Sequence, residues 1–267
     1  MNVDDVFVLD RGSAPLVVSL PHVGTVIPDW LRPRLREAAL AVPDTDWFLD
    51  RLYAFVKDRG ASLLVPRYSR YVIDLNRPDD NQPMYAGANN TELCPTRAFS
   101  GQPIYHDGQA PTEHEVRERI HDYWRPYHSA LADELARVKA RHGHVVLFDG
   151  HSIRGELPWL FEGRLPDLNL GSAGGSACAA TLSRRIATLF AAQSTYTHVL
   201  DGRFKGGHIT RHYGAPAAGV HAVQLEMAWR TYLDETAPHR WHEPRAAAVT
   251  PLLRQMIDTM IAWRPDA

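Results

Sequence analysis

VVLFDGHS, residues Val145 to Ser152, places four apolar residues directly before a carboxylate, a glycine, an imidazole and a hydroxyl. A short apolar run of this kind, with Gly143 before it and Gly150 after it, reads as a strand buried on both faces. Such strands belong to mostly parallel sheets covered by helices. His144–Phe148 is therefore expected to be a core strand, with Asp149 and His151 just where it surfaces.

Working outward, Leu16–Leu20, Ala61–Val65, Tyr71–Leu75, Tyr196–Leu200 and Val220–Leu225 read as further strands. Asp44 precedes Trp47, Phe48, Leu52, Phe55 and Val56 at helical spacing, and Gly60 closes the segment, which predicts a capped helix. Pro111-Thr112 with Glu115 opens a long helix ending near Gly143, with Pro126 expected to kink it. Helices are also expected over about 176–192 and 245–263. Residues 76–111 and 150–175 read as long loops, and Tyr85, Phe99 and Ile104 favour order in the first. Strands alternating with helices argue an α/β fold with a mixed, mostly parallel sheet. No internal repeat or flexible linker interrupts the chain, so one domain over 1–267 is expected.

Composition narrows the function. The 267 residues are 45% hydrophobic and 22% charged, with a formal net charge of −2, so no general attraction to nucleic acid or anionic membrane follows. Cys94 and Cys178 are the only cysteines, which excludes a thiolate zinc site and a disulfide scaffold. No membrane span is visible, and a cytoplasmic enzyme is the expectation.

In open α/β sheets, ligands bind beyond the carboxyl ends of the strands. His22, Asn76-Arg77, Asp149 with His151, Asp201 with Arg203, and Glu226 all follow predicted strands there. Two histidines at separate strand ends point to a metal, and a catalytic zinc wants three protein ligands. Asp46 is the expected third, with Asp50 and Asp149 as alternatives. Asp149 could instead orient His151 from behind. No HExxH element fixes two ligands on one helix.

SLPHVG (19–24), PDTDW (43–47), SRYVIDLNRP (69–78), YWRPYH (123–128), DGHSIR (149–154), LFEGRLPDLNLG (160–171), GRFKGGHITRHYG (202–214) and VQLE (223–226) together resemble the N-formylglutamate amidohydrolase family. The resemblance runs in order along nearly the whole chain. It implies a three-layer α/β/α sandwich like that of zinc exopeptidases, one Zn2+ per chain, and hydrolysis of N-formyl-L-glutamate to formate and L-glutamate in histidine degradation. Phe48 and His208 stand where the family pattern has His and Tyr.

The resemblance also implies roles. Glu226 would be the general base and Arg70 a stabiliser of the oxyanion. Asn76-Arg77 matches the Asn-Arg pair with which zinc carboxypeptidases and aspartoacylases hold a carboxylate. A dianionic substrate needs a second cation, and Arg203, Lys205 and Arg211 are the candidates, since arginine's planar fork suits carboxylate. Two other readings remain open: an amidohydrolase for another N-acyl acidic amino acid, or an amino-acid-binding protein without chemistry. A serine hydrolase is disfavoured, because Gly150–Arg154 lacks the closing glycine of G-x-S-x-G. No phosphate-binding glycine motif occurs. Oligomeric state is not readable.

Overall fold

The computed structural model describes residues 6–82, 89–236 and 239–265. Its strands are β1 Phe7–Asp10, β2 Leu16–Ser19, β3 Ser62–Pro66, β4 Val145–Ile153, β5 Leu168–Gly171, β6 His198–Leu200 and β7 Val220–Ala228. Its α-helices are α1 Glu37–Leu40, α2 Leu49–Leu52, α3 Glu113–Arg119, α4 Arg125–His142, α5 Ala180–Ala191, α6 His208–Tyr213 and α7 Glu243–Ala262.

All seven strands join one mixed sheet in the order β1-β3-β2-β4-β7-β5-β6. The central strands β3, β2, β4 and β7 run parallel, β1 pairs antiparallel with β3, and β5 is antiparallel to β7 but parallel to β6. Alternation along the strands feeds two separate cores. Val146 and Phe148 pack with α2, α5 and α7 on one face, whereas Val145 and Leu147 pack with α1, α4 and α6 on the other. This is the expected α/β layering. Among the described residues no helix is long and apolar enough to cross a membrane.

Several predicted boundaries move. β4 continues through Asp149, Gly150 and His151 to Ile153, buried throughout, because β2 and β7 flank it. Gly150 is there for space: a Cβ would lie 2.5 Å from Leu20. β7 likewise runs past Glu226. The predicted strand Tyr71–Leu75 is instead a fully buried turn. β1, β5 and α6 were not expected; β1 and β5 are four residues each, too short for a clear periodic signal.

The helix predicted after Asp44 breaks into one α-turn, α2, and a 3₁₀ turn at Ala54–Val56, because Phe48 adopts φ 58°. Asp44 does not cap it; its carboxylate accepts from the Tyr71 hydroxyl and the Phe99 N–H. The helix after Thr112 forms as expected, with the Thr112 hydroxyl accepting from Glu115 N–H. A π-helical segment at Ile120–Trp124 precedes Pro126, where the missing N–H would otherwise disrupt the ladder. Of the aromatic and aliphatic anchors in the 76–111 loop, Phe99 and Ile104 are buried as expected. Tyr85 lies outside the described residues.

Candidate metal centre and active site

Register between β4 and β7 builds half of the site. His151 stands opposite Glu226, and Asp149 opposite Gln224. With a period of two, all four side chains emerge on one face of the sheet. The other half comes from loops. The turn after β2 brings in His22, whose carbonyl accepts the Asp46 N–H at 3.0 Å. Val42 and Phe48 bracket Asp46 with φ of 43° and 58°. Left-handed backbone at side-chain-bearing residues costs roughly 1–2 kcal/mol each, and here it turns the Asp46 loop inward.

His22, Asp46 and His151 are all buried, and one ligand atom from each lies within 4.8 Å of the others. Both histidines present Nδ1 to Asp46 Oδ2, at 3.8 Å for His22 and 3.1 Å for His151. Each has its Nε2 against a carboxylate: His22 on Asp74 Oδ1 at 2.7 Å and His151 on Asp149 Oδ1 at 2.9 Å. Carboxylates behind metal-ligating imidazoles fix the tautomer and leave the other nitrogen facing the ion.

The protonation of the two rings differs. Arg70 Nη1 lies 3.2 Å from His22 Nδ1, and a guanidinium can only donate, so Nδ1 is the acceptor. Burial, then the Arg70 charge, lowers the His22 pKa and keeps the ring neutral. Burial also opposes charge on His151, but Asp149 and Asp46 overcome it and raise that pKa well above the imidazole range. A divalent cation could take the place of the proton between His151 Nδ1 and Asp46. Buried Asp46, Asp74 and Asp149 outnumber the buried cation Arg70, which also suits a positive ion. The group present therefore fits a metal.

Arg70 Nη2 donates to Asp74 Oδ2 at 2.5 Å, and its guanidinium lies over the Phe99 ring at 4.5 Å. Although burial works against it, the Arg70 charge holds the Asp74 carboxyl well below the usual range, and the hydrogen bond from His22 Nε2 adds to the lowering. Glu226 is different. Burial pushes its pKa up to about 8, with Asp46 and Asp149 adding to the rise and His151 and Arg70 opposing it.

These groups line one cavity of about 70 Å³, shared by His22, Asp46, Arg70, Asn76, Arg77, His151, Arg203, Gln224 and Glu226. Phe99, Ile153, Leu160 and Phe204 form its apolar wall. That volume holds roughly five to seven waters, a space for a small ligand. A wider groove of about 1100 Å³ between β1 and α4 carries none of these residues.

His22, Asp46 and His151 converge, while Asp50 is exposed and Asp149 stands behind His151. Arg77 and Arg203 reach the cavity; Lys205 and Arg211 are exposed and absent from its lining, with Arg211 Nε donating to the Gly206 carbonyl. Asn76 reaches the cavity too, but its amide is bonded to Ile209 N–H and Asp149. Asp201 is not at the site: β6 runs antiparallel to β7, and its carboxylate accepts from Ser172 and Gly174 N–H instead. Asp74 and Gln224 were not anticipated. Their signal was available, since each is a polar residue inside an otherwise apolar run, YVIDL and VQL.

The sequence profile described as N-formylglutamate amidohydrolase matches residues 14–233. N-formylglutamate deformylase of Pseudomonas aeruginosa is 48% identical over 261 residues, covering 98% of each chain. The Pseudomonas putida protein of the same name is 46% identical, covering 98% of this chain and 97% of its own. The crystal structure of N-formylglutamate amidohydrolase from Ralstonia eutropha JMP134 superposes with a TM-score of 0.81 at 26% identity, covering 96% of this chain and 98% of that one. A gene product of Agrobacterium tumefaciens shares the fold, with a TM-score of 0.73 at 17% identity over 97% of this chain and 96% of its own.

Proposed function

The chain belongs to the N-formylglutamate amidohydrolase family, and we propose on that premise that it hydrolyses N-formyl-L-glutamate to formate and L-glutamate, a late step of histidine degradation. The observation that carries the reading is the buried His22–Asp46–His151 group sharing one small cavity with Glu226 and two arginines. His22 Nδ1, the Asp46 carboxylate and His151 Nδ1 would hold a single zinc ion. Bound there, zinc supplies a Lewis acid and makes water a nucleophile near neutral pH.

The chain's own groups do the rest. Glu226 accepts a proton from the attacking water and delivers it to the glutamate nitrogen as the C–N bond breaks. Burial raises its pKa, which favours holding the proton once taken, while a cation on the adjacent His22–Asp46–His151 group would lower it and leave the carboxylate ionised to accept. Arg70 faces the same cavity; Nη2 is committed to Asp74, and Nη1, which lies on His22 Nδ1 here, would be released to meet developing negative charge on the formyl oxygen once that nitrogen holds the ion. Arg77 and Arg203 each take one substrate carboxylate. Arg77 is set in place by bonds from Nε to the Thr91 carbonyl and from Nη2 to the Thr91 hydroxyl. Arg203 Nη2 is anchored on the Leu160 carbonyl at 3.0 Å. The small cavity admits formyl in preference to larger acyl groups. Both cysteines are free and buried, in keeping with a reducing, cytoplasmic setting.

The test is a substrate panel with two variants. Arg77→Met and Arg203→Met should each cost about 2–5 kcal/mol in kcat/KM on N-formylglutamate, because a buried anion loses its partner. Wild type should strongly prefer N-formylglutamate over N-formylglutamine and N-acetylglutamate, and the side-chain clamp variant should lose the first preference. Equal turnover of N-formylglutamate and N-formylglutamine by wild type would remove the two-clamp assignment. Faster turnover of N-acetylglutamate would reassign the acyl group.

A further inference from the structure

We infer that Asn76 is a positioning residue that sets the two histidines relative to one another, rather than a hand on the substrate carboxylate. The inference rests on the metal reading above. Its backbone N–H donates to Asp74 Oδ1 at 2.9 Å, the same oxygen that His22 Nε2 meets at 2.7 Å. Its side-chain Nδ2 donates to Asp149 Oδ2 at 3.3 Å and lies 2.8 Å from His151 Nε2. One residue therefore touches the carboxylate behind each histidine.

The orientation of the amide is fixed from the far side. Asn76 Oδ1 accepts the Ile209 N–H at 2.8 Å. A backbone N–H needs an oxygen opposite it, so the amide nitrogen must face Asp149. Thr210 Oγ1, the next residue of α6, donates to the same Asp149 oxygen at 3.2 Å. Gly207 closes the arrangement. A Cβ there would lie 2.3 Å from Asn76 Nδ2 and 2.6 Å from its Oδ1, so only glycine leaves the amide room. Gly207 N–H is itself held by Gln224 Oε1 at 2.7 Å.

The need for such a brace follows from the scaffold. His151 rides on β4, but His22 sits in a turn beyond β2, and the sheet ladder does not reach it. A metal requires a fixed spacing between their Nδ1 atoms. Side chains holding the ligands from behind are typically worth 10- to 100-fold in metal affinity. Arg77, one residue on, is then left as the carboxylate-binding member of the pair.

The experiment measures Zn2+ affinity by competition with a chromogenic chelator, and kcat and KM at saturating zinc, in wild type, Asn76→Ala, Gly207→Ala and Arg77→Met. Asn76→Ala and Gly207→Ala should each weaken zinc about 10- to 100-fold with KM little changed. Arg77→Met should raise KM and leave zinc affinity as in wild type. In metal-free protein, the imidazole ¹⁵N resonances of His151 should shift in both of the first two variants. If Asn76→Ala does not fold, Gly207→Ala displaces the same amide with Asn76 still in place. Zinc affinity matching wild type in Gly207→Ala, or in Asn76→Ala with only KM raised, would overturn the inference. Wild type that binds no stoichiometric zinc would overturn the metal reading itself, and that result is distinct from any variant effect.

Discussion

The two halves of the site are held by different means. Asp149, His151, Gln224 and Glu226 are placed by the parallel ladder between β4 and β7, with register and a period of two setting their spacing. His22, Asp46, Arg70, Asp74 and Asn76 lie outside the strands and are placed by side-chain bonds to one another and to the backbone. The difference teaches where mutation should separate chemistry from structure. A ladder persists when a side chain changes, whereas a loop held by its own polar side chains loosens when one is removed.

Glu226→Gln is the sharpest probe of the ladder half. Turnover should fall about 10²- to 10⁴-fold, the usual worth of general acid–base catalysis, while zinc affinity and thermal stability stay near wild type. Stopped assays with metal analysis on the same preparation check this. A variant that also lost its metal or its fold would erase the distinction between the halves.

Asp74→Asn probes the loop half. It leaves the Arg70 guanidinium buried without its closest counter-charge, and breaking such a pair costs about 3–5 kcal/mol. Asp149→Asn keeps an oxygen acceptor in the ladder half, and its counter-charge His151 still faces Asp46 and can shed its proton as Arg70 cannot, so a smaller loss of about 1 kcal/mol is expected. Urea unfolding of both metal-free variants measures the gap. Equal losses would show that the two halves are not held differently after all.

A pH-dependent effect concerns the outer support of the loop. His128, on α4, donates from Nε2 to the Leu75 carbonyl at 2.9 Å, and burial pushes its pKa down to about 3. The folded value lies below the ordinary 6.5. Its contribution is therefore present above about pH 6.5 and lost as pH falls toward 3, with a slope of up to about 1.4 kcal/mol per pH unit. His128→Gln should be less stable than wild type at neutral pH, and the difference should shrink on acidification. A difference constant from pH 7 to pH 4 would mean the imidazole is not held neutral by the fold.

What the sequence determined by itself was considerable. Apolar runs alternating with helical spacing were enough for an α/β sheet, because strands buried on both faces must be apolar. Polar residues at the ends of those runs nominated His22, His151, Arg77 and Glu226, and Asp46 followed as the third ligand a catalytic zinc wants, with Asp50 and Asp149 as alternatives. Tertiary structure decided the rest. β4 and β7 extend through their polar residues only because neighbouring strands pair their backbones and buried partners satisfy the Asp149 and His151 side chains, and neither condition is written in local periodicity. Phe48 left its predicted helix for a left-handed turn that faces Asp46 inward, a choice only the completed site rewards. Asp74 looked like an interruption in a strand, yet it holds both His22 and Arg70 from a buried turn. Among Arg203, Lys205 and Arg211, charge alone could not choose. The path of the chain after β6 brings the first to the cavity and leaves the other two on the surface. Local sequence sets what a residue can do; the ladder register and the buried bonds across the sheet set what it meets.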